Sequence, residues 1–130
     1  MDSKFQPVPD VRELSYEERR LVDAMLEQAK APVLFFDQLR DAYVVARCPC
    51  GCPSIDVGLR GRSLPTGPTR VLADFVFGSD DDLSGIFVFE QDGLLGGIEL
   101  YALANGTPFV LPSIESLRPF EIPPSSDEEG

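Results

Sequence analysis

The chain contains no histidine. It therefore lacks the Ser-His and Cys-His pairs that activate nucleophiles, the histidine ligands of metal sites, and the side chain whose unperturbed pKa lies nearest neutrality. It also lacks the G-x-G-x-x-G and P-loop motifs that bind phosphates and the G-x-S-x-G motif of serine hydrolases. These absences favour a protein that is not an enzyme. An enzyme that uses only carboxylates is the remaining catalytic alternative.

Positive charge and long hydrophobic runs are also scarce. The chain has 11 lysine and arginine residues against 22 aspartates and glutamates, which gives a net charge of −11. Because this charge repels phosphates and anionic lipid headgroups, we expect a neutral or basic protein partner or self-association, with no nucleic acid and no membrane. No apolar run approaches the ~20 residues that span a bilayer, and no basic-then-apolar signal pattern opens the chain. We therefore expect a cytoplasmic protein.

The length of 130 residues and the hydrophobic content of 43% fit one ordinary domain with a single core. Residues 1–13 contain two prolines among polar residues and show no periodicity, so we expect a flexible N-terminal segment. Residues 118–130 are rich in proline, serine and acidic residues, which predicts an acidic disordered tail. The predicted domain occupies residues 14–117.

Two helices are predicted before residue 42. Ser15 and Glu18 match a capping box, which marks the first turn of a helix. The apolar residues that follow lie on one stripe of that helix, and Pro32 ends it. A shorter second helix is predicted from Val33 to Arg40. The residues of the stripe are Leu21, Val22, Met25, Leu26 and Ala29.

From Asp41 onward, runs of β-branched and aromatic residues alternate with turn residues, which is typical of a sheet. The connections are too short for crossover helices, so neighbouring strands should pair antiparallel. The sequence therefore predicts an α+β fold, in which an amino-terminal helix, with a possible second, packs on an antiparallel β-meander of about five strands. The candidate strands are Ala42 to Cys48, Ser54 to Leu59, Arg70 to Gly78, Gly85 to Glu90 and Leu94 to Leu103, with a short sixth at Pro108 to Leu111 as an option.

The dipeptide Asp92-Gly93 predicts a two-residue type I′ turn, which fixes a strand register. In that register Phe89 faces Gly96 and Phe87 faces Ile98, and we assign this side to the core. The other side mixes apolar and acidic residues, so we expect the sheet to curl closed over it, the 60–68 connection to cover it, or a partner to bind it. Its members are Ile86, Val88, Glu90, Leu95, Glu99 and Tyr101, of which Glu90, Glu99 and Tyr101 are the candidate partner-binding residues.

All three cysteines, Cys48, Cys50 and Cys52, lie within five residues. A proline follows the first and the last of them and disfavours the α region there, which predicts a hairpin tip with the sulfurs on one side. The favoured interpretation is that the cysteines fill a tight turn. One alternative is a soft metal ion such as zinc, whose fourth ligand would be a carboxylate, a water or a partner sulfur. Another is a strained, reducible disulfide that senses redox state.

Three segments of the chain resemble a group of small uncharacterised bacterial proteins. These are the cysteine-rich segment at 47–57, the strand and turn at 85–93, and the strand at 97–101. The group combines a C-x-C-G-C-like turn with a later strand-turn-strand and a proline-containing end, here Pro108 and Pro112. The resemblance spans residues 33–113 and implies no activity, so it assigns no functional residue.

Taken together, these features favour a non-enzymatic protein-interaction module, for example an immunity-type or regulatory inhibitor of a basic protein. The alternative is a metal-binding or redox-sensing protein that uses Cys48, Cys50 and Cys52.

Overall fold

A computed structural model describes residues 7–104, 106, 108 and 110–119. These residues form two α-helices, seven β-strands and one short 3-10 turn at Ile114–Ser116. The elements in chain order are β1 (Val8–Glu13), α1 (Tyr16–Gln28), α2 (Val33–Asp41), β2 (Ala42–Arg47), β3 (Ile55–Leu59), β4 (Thr69–Phe77), β5 (Ser84–Gln91), β6 (Leu94–Ala102) and β7 (Arg118–Pro119).

The predicted capping box at the start of α1 is confirmed. The Glu18 amide donates to Ser15 Oγ at 3.1 Å, and the Ser15 amide donates to Glu18 Oε1 at 2.8 Å. The Glu18 carboxylate also accepts two hydrogen bonds from the Arg12 guanidinium, each 2.9 Å long. A single buried carboxylate therefore caps α1 and ties β1 to it.

Both predicted helices are present, and they pack on one side of the sheet. Helix α1 lies against β4 and β5, and α2 lies against β6. The predicted stripe of α1 is buried except for Ala29, which is exposed after the last helical turn. The buried helical side chains are Leu21, Val22, Met25 and Leu26 of α1 and Phe35 and Leu39 of α2.

The α+β class and the antiparallel pairing are confirmed, and the five predicted strands correspond to β2–β6. The predicted count and order of strands are wrong. Over the described residues the sheet has seven strands in the order β1-β2-β3-β6-β5-β4-β7, which is not a meander. The 60–68 connection passes the β5–β6 turn, where the Gly67 amide donates to Asp92 Oδ2 at 3.1 Å. Gln91 Nε2 donates to the Gly67 carbonyl at 2.8 Å, so this connection is held at the end of the β5–β6 hairpin.

The two strands that the sequence did not predict lie at the edges of the sheet. Strand β1 pairs with β2 inside the segment 1–13 that was expected to be flexible, and β7 pairs with β4 at the start of the expected tail. Each contains a proline, Pro9 or Pro119, and an edge strand tolerates proline because one side of its backbone needs no partner. The rest of the two predicted flexible ends, residues 1–6 and 120–130, lies outside the described residues. The described residues of 108–111 form no strand.

Candidate functional site

The β5–β6 turn is of the predicted kind, but the register changes just beyond it. Asp92 and Gly93 have φ of 57° and 80°, as a type I′ turn requires. Glu90 pairs with Leu95 as predicted, whereas Phe89 pairs with Gly97. The extra residue, Gly96, makes a β-bulge in β6. From Phe89 back to Ser84, each residue of β5 therefore faces a partner one position later than the predicted one.

This bulge reverses the faces of β5. Ile86 and Val88 pair with Leu100 and Ile98 and are 0% and 1% exposed on the helix side of the sheet. The assignment of Phe87 and Phe89 to the core side is therefore wrong, although Ile98 and Leu100 are buried as predicted. The two rings lie on the side of the sheet away from the helices.

We call this second side the open face. Glu99 and Asp74 are exposed on it, Phe87, Asp56 and Tyr101 are half-buried, and Phe89 is buried. In the register of the sheet, Phe87 lies between Asp74 of β4 and Glu99 of β6. Neighbouring strands lie about 4.8 Å apart, so a carboxylate stands on each side of the ring.

The rings of the open face pack on one another and on glycines. The centroid of Phe87 lies 6.1 Å from that of Phe89 and 6.0 Å from that of Tyr101. Tyr101 covers Gly85 and Phe89 covers Gly96, and a side chain at either glycine would clash with the ring above it. The glycines therefore let the rings lie flat on the backbone.

The surroundings of the three open-face carboxylates disfavour their ionised forms. Burial raises the pKa of Asp56, and burial together with the charge of Asp56 raises the pKa of Glu99. Burial also raises the pKa of Asp74, which the neighbouring Tyr101 hydroxyl partly offsets. Among the described residues, none of these acids forms an ion pair with lysine or arginine. Within the described part of the chain, their charge thus has no basic side chain to pair with.

The structure separates the predicted partner-binding residues. Glu99 and Tyr101 lie on the open face, but Glu90 follows Ile86 and Val88 on the helix side and is 7% exposed. Its Oε1 accepts a hydrogen bond from the Gly93 amide at 2.9 Å. Glu90 thus stabilises the hairpin turn and is not part of the open face.

Sequence reasoning missed Asp56, Asp74, Phe87 and Phe89 as members of this site. The pair of glycines inside a predicted strand was the signal that could have found Phe87 and Phe89. Glycine in a strand interior often marks a bulge, and a bulge moves every later side chain to the other side.

The cysteines form the predicted hairpin tip between β2 and β3. The Gly51 amide donates to the Cys48 carbonyl at 3.4 Å, and the Cys48 amide donates to the Ser54 carbonyl at 3.2 Å. Pro49 and Gly51 take the second and fourth positions of this turn, which favour these residues. We call residues 48–53 the cysteine turn.

The three sulfurs lie together but differ in exposure. All three Sγ atoms are within 4.8 Å of one another, and those of Cys48 and Cys50 are 2.8 Å apart. Cys52 is buried, and its Sγ donates to Ser54 Oγ at 3.2 Å, whereas Cys50 is exposed. Burial and the neighbouring thiols raise the pKa of Cys48 to about 12, while hydrogen bonds from Cys48 and the Cys52 amide lower the pKa of Cys50.

A cavity of about 180 Å³ is lined by residues of both the cysteine turn and the open face. Its lining includes Arg47 and Cys48 on one side and Asp56 and Glu99 on the other. Cys48 and two of the raised-pKa carboxylates therefore border the same solvent space.

In the part of the chain that the structure describes, neither helix is long and apolar enough to cross a membrane. The chain matches no protein-family model, no curated protein and no solved structure.

Proposed function

We propose that this protein is a non-enzymatic interaction module that binds a basic segment of another protein on the open face. The observation that carries the proposal is the row Asp74, Phe87 and Glu99, which sets an aromatic ring between two carboxylates on neighbouring strands. An arginine side chain matches this arrangement, because its planar guanidinium stacks on a ring and pairs with carboxylates.

The negative charge of the chain favours a basic partner both during approach and at contact. The net charge of −11 attracts a basic protein before contact and raises its rate of association. At contact, an arriving cation would favour the ionised forms of Asp56 and Glu99, which burial now disfavours. Binding of a basic segment therefore relieves a cost that the isolated chain carries.

A second copy of this chain is a weaker candidate for the partner. Face-to-face pairing of two open faces would bring the Asp56, Asp74 and Glu99 carboxylates of both copies together, which is repulsive. Neutral partners would leave the same carboxylates unpaired. An immunity-type or regulatory inhibitor of a basic protein is the version of the proposal that best fits the net negative charge of the chain.

The test uses a fluorescently labelled penta-arginine peptide and the full chain. We expect peptide binding to shift the backbone amide resonances of β4, β5 and β6 in an NMR titration. Glu99→Lys should weaken binding at least tenfold, about 1.4 kcal/mol. Asp81→Lys is the matched control, because it makes the same charge change at an exposed loop residue away from the open face.

Three results would contradict the proposal. Equal weakening by Glu99→Lys and Asp81→Lys would mean that only the net charge matters. Amide shifts confined to residues outside β4–β6 would place the peptide elsewhere. A concentration-dependent dimer whose amide shifts map to the open face would replace the basic partner by a second copy.

A further inference from the structure

The geometry points to a second, independent site: Cys48, Cys50 and Cys52 form a three-thiolate site for one soft metal ion, Zn(II) or Cu(I). The site belongs to the cysteine turn and does not depend on the function proposed for the open face.

The positions of the sulfurs fit a single ion. A metal–sulfur bond of about 2.3 Å places two sulfurs of one ion about 3.8 Å apart in a tetrahedral site and about 4.0 Å apart in a trigonal one. The three Sγ atoms already lie within 4.8 Å of one another. Cys48 and Cys50, at 2.8 Å, are closer than non-bonded atoms prefer, so an ion between them would let the pair move apart.

The backbone holds the ligands in place without an ion. Two turn hydrogen bonds fix the loop, and the Cys52 amide donates to Cys50 Sγ at 3.3 Å. Ser54 Oγ accepts from Cys52 Sγ and also from the Leu100 amide at 2.8 Å, which anchors Cys52 to β6. The Cys52 amide already donates to the Cys50 sulfur as it would to a thiolate, and the Cys52–Ser54 hydrogen bond would reverse, with Ser54 Oγ donating, once Cys52 is deprotonated.

The donor set selects the class of ion. Thiolates prefer soft or borderline ions such as Cu(I) and Zn(II) and discriminate against Mg²⁺ and Ca²⁺, which take oxygen ligands. The chain has no histidine to act as a fourth ligand. Because Cys50 is exposed and Cys52 is buried, an ion among the sulfurs would keep protein on one side and an open coordination position on the other. Three thiolates suffice for trigonal Cu(I), and a water would complete tetrahedral Zn(II).

Binding requires deprotonation of the ligands. Three thiols release three protons as three metal–sulfur bonds form, and no electron is transferred. The Zn(II) form of the site carries a net charge of −1, and Arg47 borders the cavity beside Cys48.

The experiment adds Zn(II) or Cu(I) separately to the full chain, purified with reductant and without oxygen, against a chromophoric competing chelator for each ion. We expect three reactive thiols in the denatured protein and one ion bound per folded chain. Co(II) should replace Zn(II) and show thiolate-to-metal charge-transfer absorption. Tighter binding of one ion identifies which of the two the site prefers.

Variants separate coordination from folding. Cys50→Ser should retain the circular dichroism of the fold, since Cys50 is exposed, and should lower metal affinity at least a hundredfold, about 2.7 kcal/mol. Cys50→Ala serves as a second variant if the serine variant does not fold. Asp81→Asn, at an exposed loop residue that does not line this cavity, is the control and should bind the ion as the wild type does.

The proposal is overturned if neither ion binds or if Cys50→Ser binds as tightly as the wild type. It is also overturned if protein purified without reductant lacks two free thiols and the folded chain stays oxidised after reductant is added. The last result would mean that two of the three cysteines form a disulfide. Penta-arginine binding is measured on the metal-free chain, so failure of one proposal leaves the other intact.

Discussion

Alanine substitution of two adjacent residues of β5 tests the register on which the open face depends. Ile86 is 0% exposed beneath the helices, whereas Phe87 is half-buried on the open face. Neighbouring residues of a strand point to opposite sides, so only one of the two can contribute to the main core. A hairpin register without the bulge would instead place Phe87 in the main core and Ile86 on the opposite side of the sheet.

The expected magnitudes differ clearly. Truncation of a fully buried isoleucine to alanine costs about 2–5 kcal/mol of the free energy of unfolding. A fully buried phenylalanine would cost about 3–5 kcal/mol. Phe87 keeps one side in solvent and chiefly loses its contacts with two rings, so Phe87→Ala should cost about 1–2 kcal/mol.

Urea denaturation of both variants measures these free energies, with equal denaturant slopes as the sign that the unfolded states are comparable. Ile86→Ala should be the more destabilised of the two. A larger loss for Phe87→Ala would refute the bulged register. It would also remove the aromatic ring from the proposed binding face.

Three further predictions concern stability. Asp56→Asn and Glu99→Gln should raise the free energy of unfolding at pH 7, because the raised pKa of each acid means that the folded chain favours the protonated form. Urea denaturation at several pH values measures this gain in stability over the wild type. The gain should shrink as the pH falls through the raised pKa values toward the ordinary values of 3.8 and 4.5. A gain that persists at that low pH would contradict the electrostatic cause. Arg12→Ala should destabilise the fold by more than about 1 kcal/mol, since it leaves the buried Glu18 carboxylate without its bidentate partner. Arg40→Ala removes an exposed ion pair of 3.6 Å and should change stability by less than about 0.5 kcal/mol. Equal effects of the two variants in thermal melts would be evidence against the buried pair. Gly97→Ala should cost about 1–3 kcal/mol in the same melts, because φ is 147° and the new methyl group would meet the backbone of β3, and a neutral result would argue against the bulge.

Local signals in the sequence predicted the elements of this fold well. The capping box placed the start of α1, Pro32 separated the two helices, and Asp92-Gly93 located the hairpin turn. These signals depend on contacts within a few residues, so one chain carries them in full. The cysteines were brought together for the same reason, because the prolines of the turn act on their immediate neighbours.

Features that depend on distant residues were not predictable in the same way. Strand β1 is stabilised by pairing with β2 and by the contact of Arg12 with Glu18, neither of which leaves a periodic pattern in residues 8–13. The pairing of β3 with β6 joins strands that β4 and β5 separate along the chain, so no local pattern predicts it. One bulge at Gly96 then exchanged the two sides of β5, although both strands were correctly located.

The open face combines exposed aromatic surface with partly desolvated carboxylates, and one ligand can stabilise both. Exposed ring surface and partly desolvated carboxylates each lower the stability of an isolated domain. At Phe87 the two occur side by side, with Asp74 and Glu99 opposite it on the neighbouring strands. A hydrophobic ligand would cover the ring but desolvate the acids further, and a small cation would pair the acids but leave the ring in water. A side chain that is both flat and positively charged satisfies both requirements, and this physical argument points to arginine rather than lysine as the central residue of the proposed partner.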